Sequence, residues 1–507
     1  MQLVAYGAQD VYLTGNPQIT FWKVTYRRHT NFAMESIEQT FNGQADFGRR
    51  VTCTISRNGD LAYRTYLQVT LPEINQQLNT SDVYARWLDC PGEQLISQVE
   101  VEIGGQRIDR QYGDWMHIWN QLTLSKEQER GYYKMIGNTT QLTYVTDPAF
   151  AEVDGPCSGN GVRQVCAPRN ALPETTLYVP LQFWYCRNPG LALPLIALQY
   201  HEVKINVDIR NIEECLWAMD KMDGTGSKVN DAYKQSLAAA SLYVDYIFLD
   251  TDERRRMAQN PHEYLIEQLQ FTGDESVGSS SNKIKLNLNH PVKELVWVVQ
   301  PDANVDYCAS LLSDTGLCSL LGAQPFNYTD AFDALPNAVH AFGNNAAISG
   351  SASFIDTTSG GGFESDLLLG AGSNDSQVSD AGTFVLSETA LDMHCWGENP
   401  VVVAKLQLNG QDRFSEREGT YFDLVQPFQH HTRAPDTGVN VYSFALRPEE
   451  HQPSGTCNFS RIDNATLQLV LSNATVQGSN TAKVRLYAVN YNVLRIMSGM
   501  GGLAYSN

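Results

Sequence analysis

The sequence has few of the features that mark redox enzymes, membrane proteins or secreted proteins. None of its ten cysteines forms a C-x-x-C pair, which argues against zinc ribbons and thioredoxin-like sites. The longest apolar run, residues 191–198, contains Pro194 and is too short to span a bilayer. The first residues carry neither a basic nor an apolar segment, so we expect no secretory signal.

Positive charge is also scarce. The chain has 36 Lys and Arg residues against 56 Asp and Glu residues, so its net charge is −20. A nucleic acid would be repelled at long range, and we predict no direct nucleic-acid binding. The short clusters Arg27-Arg28, Arg49-Arg50 and Arg254-Arg255-Arg256 are too small to form a basic patch. We expect Arg27-Arg28 and the Arg254 triplet to pair with acidic neighbours; a contact between subunits is the alternative.

Two cysteine pairs are close enough along the chain to bridge a loop. They are Cys157 with Cys166 and Cys308 with Cys318. Because free cysteine behaves as a small buried apolar side chain, reduced thiols are the simpler interpretation.

Strand signals dominate the rest of the sequence. Val203–Ile209 and Lys283–Asn289 alternate apolar and polar residues, which is typical of antiparallel sheets with one buried face. Helical signals are few. Ser125–Gln128 resembles a capping box that opens a short helix toward Met135, and Thr251–Ala258 predicts a short connecting helix.

Three short sequence patterns occur twice, in the same order. The pairs are Ile37–Gly43 with Ile266–Gly273, Val101–Arg107 with Leu406–Asp412, and Leu242–Val244 with Leu486–Ala488. This predicts two copies of one domain within the chain. A duplicated domain without a duplicated catalytic cluster suggests that the shape of the protein is its function.

Eight strands can be assigned to each copy. The predicted strands are Glu35–Phe41, Val51–Ser56, Tyr63–Leu71, Gln98–Ile103, Tyr112–Trp119, Tyr178–Tyr185, Glu202–Ile209 and Leu242–Leu249 in the first copy, and Tyr264–Phe271, Lys283–Leu288, Glu294–Val299, Val402–Leu408, Tyr421–Val425, Val439–Leu446, Ala465–Leu471 and Lys483–Leu494 in the second. The predicted fold is therefore all-β: two consecutive eight-stranded antiparallel jelly rolls, a double jelly roll, with a few short helices in loops and linker.

The repeats also predict the domain boundaries. We expect an N-terminal arm at 1–30, a first jelly roll at 31–250, a helical linker at 251–262, a second jelly roll at 263–497 and a C-terminal tail at 498–507. The interval from Pro301 to Gly410 is roughly 75 residues longer than its counterpart from Pro72 to Gly105, which predicts an exposed Gly- and Ser-rich insertion at about 301–400.

Four segments spread along the chain carry a resemblance to a known family. They are Phe21–Phe32, Leu193–Val203, Tyr442–Asp463 and Tyr491–Ile496. In these segments the sequence resembles the major capsid proteins of nucleocytoplasmic large DNA viruses. The Gly- and Ser-rich insertion is a region in which such proteins differ, so nothing is inferred for it from the resemblance.

The resemblance implies a structural protein of the virion rather than an enzyme. Such proteins are double jelly rolls that form homotrimeric capsomers with a pseudo-hexagonal outline, and these tile an icosahedral shell. The resemblance also implies minor capsid proteins and an inner viral membrane beneath the shell, on the side of the N-terminal arm, and assembly in the host cytoplasm.

We predict no catalytic, cofactor-binding or metal-binding residues. Side chains of His430-His431 would point to opposite faces of a strand, and His394-Cys395 lacks a second ligand pair. The acidic pair Glu449-Glu450 fits a turn and an interface better than glycoside hydrolysis. Ser359–Gly362 is glycine-rich but lacks the phosphate-binding pattern.

Two other functions remain compatible with paired jelly rolls. A glycan-processing enzyme or a copper monooxygenase would need convergent acids or clustered His and Met ligands, and the sequence shows neither. A carbohydrate-binding attachment protein would use aromatic side chains on exposed loops.

Overall fold

The structure is a computed structural model that describes residues 4–75, 77–78, 81–143, 146, 171–221, 226–305, 323–330 and 397–505. Most of the predicted insertion, both candidate cysteine pairs, His394-Cys395 and Ser359–Gly362 lie outside the described residues. The cysteines in the described residues are free thiols. Four of them are buried, namely Cys53, Cys90, Cys186 and Cys215, and Cys457 is half-buried.

The strands of the first half form two larger antiparallel sheets and two two-stranded sheets. They are β1 (Phe32–Gln39), β2 (Arg50–Thr54), β3 (Leu61–Leu71), β4 (Gln77–Leu78), β5 (Ser81–Asp82), β6 (Tyr84–Trp87), β7 (Ile96–Ile103), β8 (Gln106–Tyr112), β9 (Thr175–Pro180), β10 (Leu193–Pro194), β11 (Val203–Ile209), β12 (Leu216–Met219) and β13 (Ala239–Leu249). One larger sheet has the order β1-β13-β3, with β9 and β10 both pairing with β3, and the other larger sheet has the order β2-β11-β7-β8. We call this unit the first jelly roll.

The second half repeats this arrangement. Its strands are β14 (His262–Val277), β15 (Ser281–Lys285), β16 (Pro291–Pro301), β17 (Val401–Leu408), β18 (Gln411–Asp412), β19 (Arg417–Glu418), β20 (Asn440–Ser443), β21 (Cys457–Asn458), β22 (Ala465–Leu471), β23 (Ala482–Met497) and β24 (Met500–Leu503). The sheets have the orders β14-β23-β16-β20 and β15-β22-β17-β18, which match the first half strand for strand. The predicted all-β double jelly roll is therefore confirmed. Strand β24, which pairs with β23, lies in the segment that we assigned to the C-terminal tail.

The second sequence repeat marks the same tight hairpin in both jelly rolls. Gly104 and Gly105 connect β7 to β8 with φ of 59° and 82°, and Asn409 and Gly410 connect β17 to β18 with φ of 52° and 79°. A two-residue hairpin turn whose twist matches that of the strands needs a positive φ at both central residues. Gly and Asn tolerate positive φ best.

Short helices connect the strands. They are α1 (Val11–Thr14), α2 (Pro91–Leu95), α3 (Gly113–Thr123), α4 (Lys126–Ile136), α5 (Thr140–Thr143), α6 (Trp184–Arg187), α7 (Thr251–Gln259), α8 (Gln426–His430) and α9 (Asn473–Val476). The two predicted helices appear as α4 and α7, although the side chain of Ser125 makes no capping hydrogen bond. Among the described helices, none combines the length and apolar character needed to cross a lipid bilayer.

Three strand predictions were wrong or partly wrong. Residues 112–119 lie mostly in helix α3, because Trp115, Ile118 and Trp119 repeat with helical spacing and share one buried face. Tyr421–Val425 forms a π turn that continues into α8, so the fifth strands are β8 and β18 instead. The strand predicted at 178–185 ends at Pro180 and is followed by α6.

Each jelly roll has a hydrophobic core between its two sheets. Tyr185 and Tyr246 are fully buried in the first core, and Trp297 and Leu486 are buried in the second. Ile266 of the second jelly roll packs in the first core. The two units therefore share part of their apolar interior.

Candidate functional site

Helix α3 of the first jelly roll lies across the second jelly roll. It covers the outer face of the sheet β14-β23-β16-β20, which is the face directed away from that sheet's own core. The buried residues of this contact, which we call the α3 contact, are Trp115, Ile118, Trp119 and Leu122 from α3, and Val296, Val298, Tyr328, Val439, Val441, Tyr487 and Val489. As a result, every residue of β16 after Pro291 is buried.

Aromatic rings form the centre of the α3 contact. The ring of Trp115 lies 5.3 Å from that of Tyr487, and Tyr487 stacks on Phe271 at 4.9 Å with an interplanar angle of 16°. Trp115 has no exposed surface and Tyr487 is 1% exposed. Burying such rings supplies much of the free energy of a contact, so α3 joins the two units firmly.

Ion pairs surround the aromatic centre. Asp114 accepts hydrogen bonds from Arg485 at 2.8 Å and from Arg210 at 3.4 Å. Although burial disfavours its charge, Asp114 and other nearby groups raise the pKa of Arg485. Arg433 donates to Glu129 of α4 at 2.8 Å, which links the loop after α8 to the first jelly roll. These charge-assisted bonds fix the orientation of the two units.

A second buried network is centred on Glu267. Its carboxylate accepts hydrogen bonds from Lys293 at 2.7 Å and from Arg187 of the first jelly roll at 3.1 Å, and His451 lies 3.4 Å away. Burial alone would raise the pKa of Glu267, but hydrogen bonding to His451 and the charges of Lys293 and Arg187 lower it to about 2. Glu267 is therefore ionised at neutral pH and pairs with Lys293 of β16 and with Arg187, the last residue of α6.

The His430-His431 pair does not lie on a strand, so that premise was wrong. His430 ends α8, and His431 turns inward between two carboxylates. The Nε2 atom of His431 lies 2.8 Å from Glu294 and its Nδ1 atom 2.9 Å from Glu449. Burial opposes the charge, yet the two carboxylates raise the pKa of His431 to about 9. Both nitrogens therefore donate, and the ring carries a positive charge at neutral pH.

The neighbouring acids Glu449 and Glu450 serve different partners. Glu449 accepts from His431 and from the hydroxyl of Thr432 at 2.6 Å, whereas Glu450 pairs with Arg447 at 3.1 Å. Their engagement in separate ion pairs matches the predicted turn and does not resemble two acids converging on a sugar bond.

A cluster that the sequence analysis missed contains Cys90, Glu93 and His117. Their potential metal-ligand atoms lie within 4.8 Å of one another. However, the Nδ1 atom of His117 is only 2.7 Å from Glu93, which is hydrogen-bond length, whereas two tetrahedral zinc ligands lie about 3.3 Å apart. The hydroxyl of Tyr132 also donates to Glu93. Burial and the Glu93 charge raise the pKa of the Cys90 thiol, so the cluster is a hydrogen-bonded network around one carboxylate.

The arginine clusters behave differently from one another. Arg254 pairs with Asp60 at 2.9 Å and Arg255 with Asp252 at 3.5 Å, as predicted. Arg27 and Arg28 lie in the exposed arm and form no ion pair with any described residue.

The sequence contains one signal of the α3 contact. Residues 295–299 are consecutively apolar, without the alternation expected of a strand with one wet face. Such a run indicates burial on both faces. It could have predicted a cover on the outer face of β16, although not which segment supplies it.

Comparisons with known proteins agree with this architecture. Residues 20–250 match a family model described as the major capsid protein N-terminus, and residues 253–502 match one described as the large eukaryotic DNA virus major capsid protein. Together the two matches span both jelly rolls.

Relatives and solved structures match the chain along its whole length. The major capsid protein of Phaeocystis pouchetii virus is 86% identical, with 100% of this chain and 99% of the relative covered. That of Paramecium bursaria Chlorella virus 1 is 41% identical with the same coverage. The quasi-atomic structure of the PBCV-1 virus capsid superposes with a TM-score of 0.64 at 35% identity, covering 96% of this chain and 100% of that one.

The fold and its joined sandwiches define a shell-forming structural protein. The chain belongs to the family of major capsid proteins of large eukaryotic DNA viruses. It is a component of the virion shell.

Proposed function

We propose that three copies of the chain associate around a threefold axis into a capsomer with a pseudo-hexagonal outline, and that these capsomers tile an icosahedral shell. The observation that carries this proposal is the identical strand order of the two jelly rolls. Three chains supply six similar units, and closed symmetry with a nearly sixfold outline lets each capsomer meet six neighbours.

The N-terminal arm is the proposed contact with the layers beneath the shell. Residues 4–31 are exposed apart from the half-buried Asp10, and Phe21 and Trp22 are 101% and 86% exposed. Arg27 and Arg28 lie close to them in the sequence. Aromatic and basic side chains together suit the interface of an anionic membrane, so the arm is proposed to contact the inner viral membrane and the minor capsid proteins.

The proposal includes neither catalysis nor direct genome binding. The net charge of −20 opposes contact with a polyanion, and a wall protein has no need of either activity. We place assembly in the host cytoplasm, as the family resemblance implies.

The test of the capsomer is a measurement of mass and shape. The purified 56.5 kDa chain is expected to give a species of about 170 kDa by light scattering, with a hexagonal, threefold outline in negative-stain images. A stable monomer across concentrations and salts would contradict the proposal.

The test of the arm uses vesicle flotation. The full chain should float with vesicles that contain anionic lipid, and the double variant Phe21→Ser/Trp22→Ser should bind more weakly while it keeps the mass of the wild type. Val402→Glu, which changes an exposed residue of β17, serves as the control. Equal binding by the arm variant and the control would contradict a role of the arm.

A further inference from the structure

The first jelly roll has an outer sheet face that is the counterpart of the one covered by α3. On this face of the sheet that contains β1, β13, β3 and β9, Ser36, Glu38 and Tyr178 are exposed, and Tyr66 and Tyr243 are half-buried. Nothing in the part of the chain that the structure describes buries these positions. The same sheet is therefore open in the first jelly roll and closed in the second.

The centre of the open face resembles the centre of the closed one. Tyr243 on β13 lies opposite Tyr66 of β3, just as Tyr487 on β23 lies opposite Val296 of β16. Tyr243 stacks on Tyr66 at 5.3 Å with an interplanar angle of 4°. The stack of Tyr487 on Phe271 has the same character, but only that stack is covered, by Trp115.

The second jelly roll has an open helix that corresponds to α3. The π turn and α8 lie between the fifth and sixth strands of the second jelly roll, as α3 does in the first. Leu424, Val425 and Phe428 are 56%, 39% and 85% exposed. Leu446, 75% exposed, adjoins them, because its carbonyl lies 3.2 Å from the Nδ1 atom of His430. An apolar stripe of this kind at the position of α3 indicates a contact that the described residues of one chain do not supply.

We propose that Leu424, Val425 and Phe428 of one chain pack on the Tyr66, Tyr178 and Tyr243 face of a second copy. In this contact, α8 and the preceding π turn of one chain would cover the outer sheet face of another chain, as α3 covers β16 within one chain. The inference rests on the proposed trimer and assigns its joint to particular residues.

The geometry of duplication favours a second copy as the occupant. Each chain offers one open helix and one open sheet face, and these are different surfaces, so the joint is head to tail. In the proposed trimer this joint would occur three times and would alternate around the ring with the joint that α3 makes within each chain. A tyrosine-rich face with polar neighbours also suits a surface that is wet before assembly and buried after it.

The first experiment compares two charge substitutions in the second jelly roll. Phe428→Glu should raise the concentration needed for half-assembly about tenfold or more, because it places a charge in the centre of the joint. Val402→Glu, which also changes an exposed apolar residue of the second jelly roll, should assemble like the wild type. Circular dichroism checks that both variants are folded. A Phe428→Glu chain that assembles like the wild type would overturn the inference.

The second experiment tests the head-to-tail arrangement. One chain carries Phe428→Cys and another carries Tyr243→Cys, and a short bismaleimide is added after the two are assembled together. Covalent 1:1 pairs of the two chains are expected in the mixture only, above the wild-type background from native cysteines. Pairs of Phe428→Cys chains with each other, or no pairs above background, would overturn the inference.

The outcomes separate this inference from the proposed function. A wild-type chain that stays monomeric contradicts the trimer itself. A wild-type trimer that survives Phe428→Glu leaves the capsid function standing and removes only this joint.

Discussion

The two jelly rolls share one strand order and differ in what lies outside it. Strand β3 alternates buried and partly exposed residues along most of its length, whereas its counterpart β16 is buried on both faces. The difference arises because α3 covers β16, while the corresponding face of β3 is open. Duplication therefore repeated the hydrogen-bonding scheme of the sheets, and the partner outside each sheet decided which residues became core.

The acidic residue of the first sequence repeat shows the same difference between the two jelly rolls. Glu38 and Glu267 follow an isoleucine in the two copies of the pattern, but Glu38 is exposed and Glu267 is 7% exposed. Only Glu267 has become the centre of a buried ion network. Four sets of substitutions test this difference between the halves.

The largest effect is expected at the covered face. Trp115→Ala removes a fully buried ring from the α3 contact and should lower the free energy of unfolding by about 3–5 kcal/mol, measured by denaturant titration. Phe428→Ala, in the corresponding helix, should change it by no more than about 0.5 kcal/mol at concentrations at which the chain is monomeric. Equal losses for the two variants would mean that the helices are not in different environments.

The acidic pair should show the next largest difference. Glu267→Ala leaves the ammonium group of Lys293, which is 1% exposed, without its main partner and should cost about 3 kcal/mol in unfolding experiments. Glu38→Ala in the first jelly roll should cost about 0.5 kcal/mol or less. The double variant Glu267→Ala/Lys293→Met is expected to recover part of the loss, since it removes both charges together. A loss as small as that of Glu38→Ala would argue against a buried network.

The imidazole between Glu294 and Glu449 predicts a dependence on pH. The pKa of His431 is about 9 in the folded chain and about 6.5 when unfolded. Its contribution is therefore complete below about pH 6.5 and is lost as the pH rises through about 9. The stability difference between wild type and His431→Gln should shrink by about 3 kcal/mol from pH 6 to pH 10.

A second buried imidazole beside a carboxylate, His117 next to Glu93, lies in the first jelly roll. Burial opposes its charge, but Glu93 raises the pKa of His117 as well. His117→Gln should thus show a pH dependence of the same sign. A difference that grows with rising pH, for either variant, would contradict the paired imidazolium.

The smallest effect, and the same one in both halves, is expected at the hairpins. Gly105→Ala and Gly410→Ala each place a side chain at φ near 80°, with open space around the new Cβ atom. Each should cost about 1 kcal/mol in thermal unfolding. Gly104→Ala should cost more, because its Cβ atom would lie 2.3 Å from the ring of His201. A clear difference between the first two would show that the hairpins are not equivalent.

Much of the fold followed from local patterns, because a strand with one wet face alternates and a tight hairpin needs particular residues. Val203–Ile209 is a strand as predicted. Helix α3 was mistaken for a strand because aromatic residues are enriched in strands, although Trp115, Ile118 and Trp119 repeat with helical spacing.

The buried networks depend on residues that are distant in the sequence. His431 and Glu294 are 137 positions apart, so the histidine pair alone did not indicate its carboxylate partners. The prediction that the chain has no catalytic, cofactor-binding or metal-binding residues stays a prediction.

The duplication, most of the strands and the family resemblance followed from the sequence alone, since these depend on neighbouring residues and on long matching segments. The tertiary structure was needed to show that α3 covers one sheet, that Glu267 is a buried anion and that Phe428 is exposed. The reason is physical: burial and charge depend on what lies within a few ångströms, and many of those neighbours are distant in the sequence.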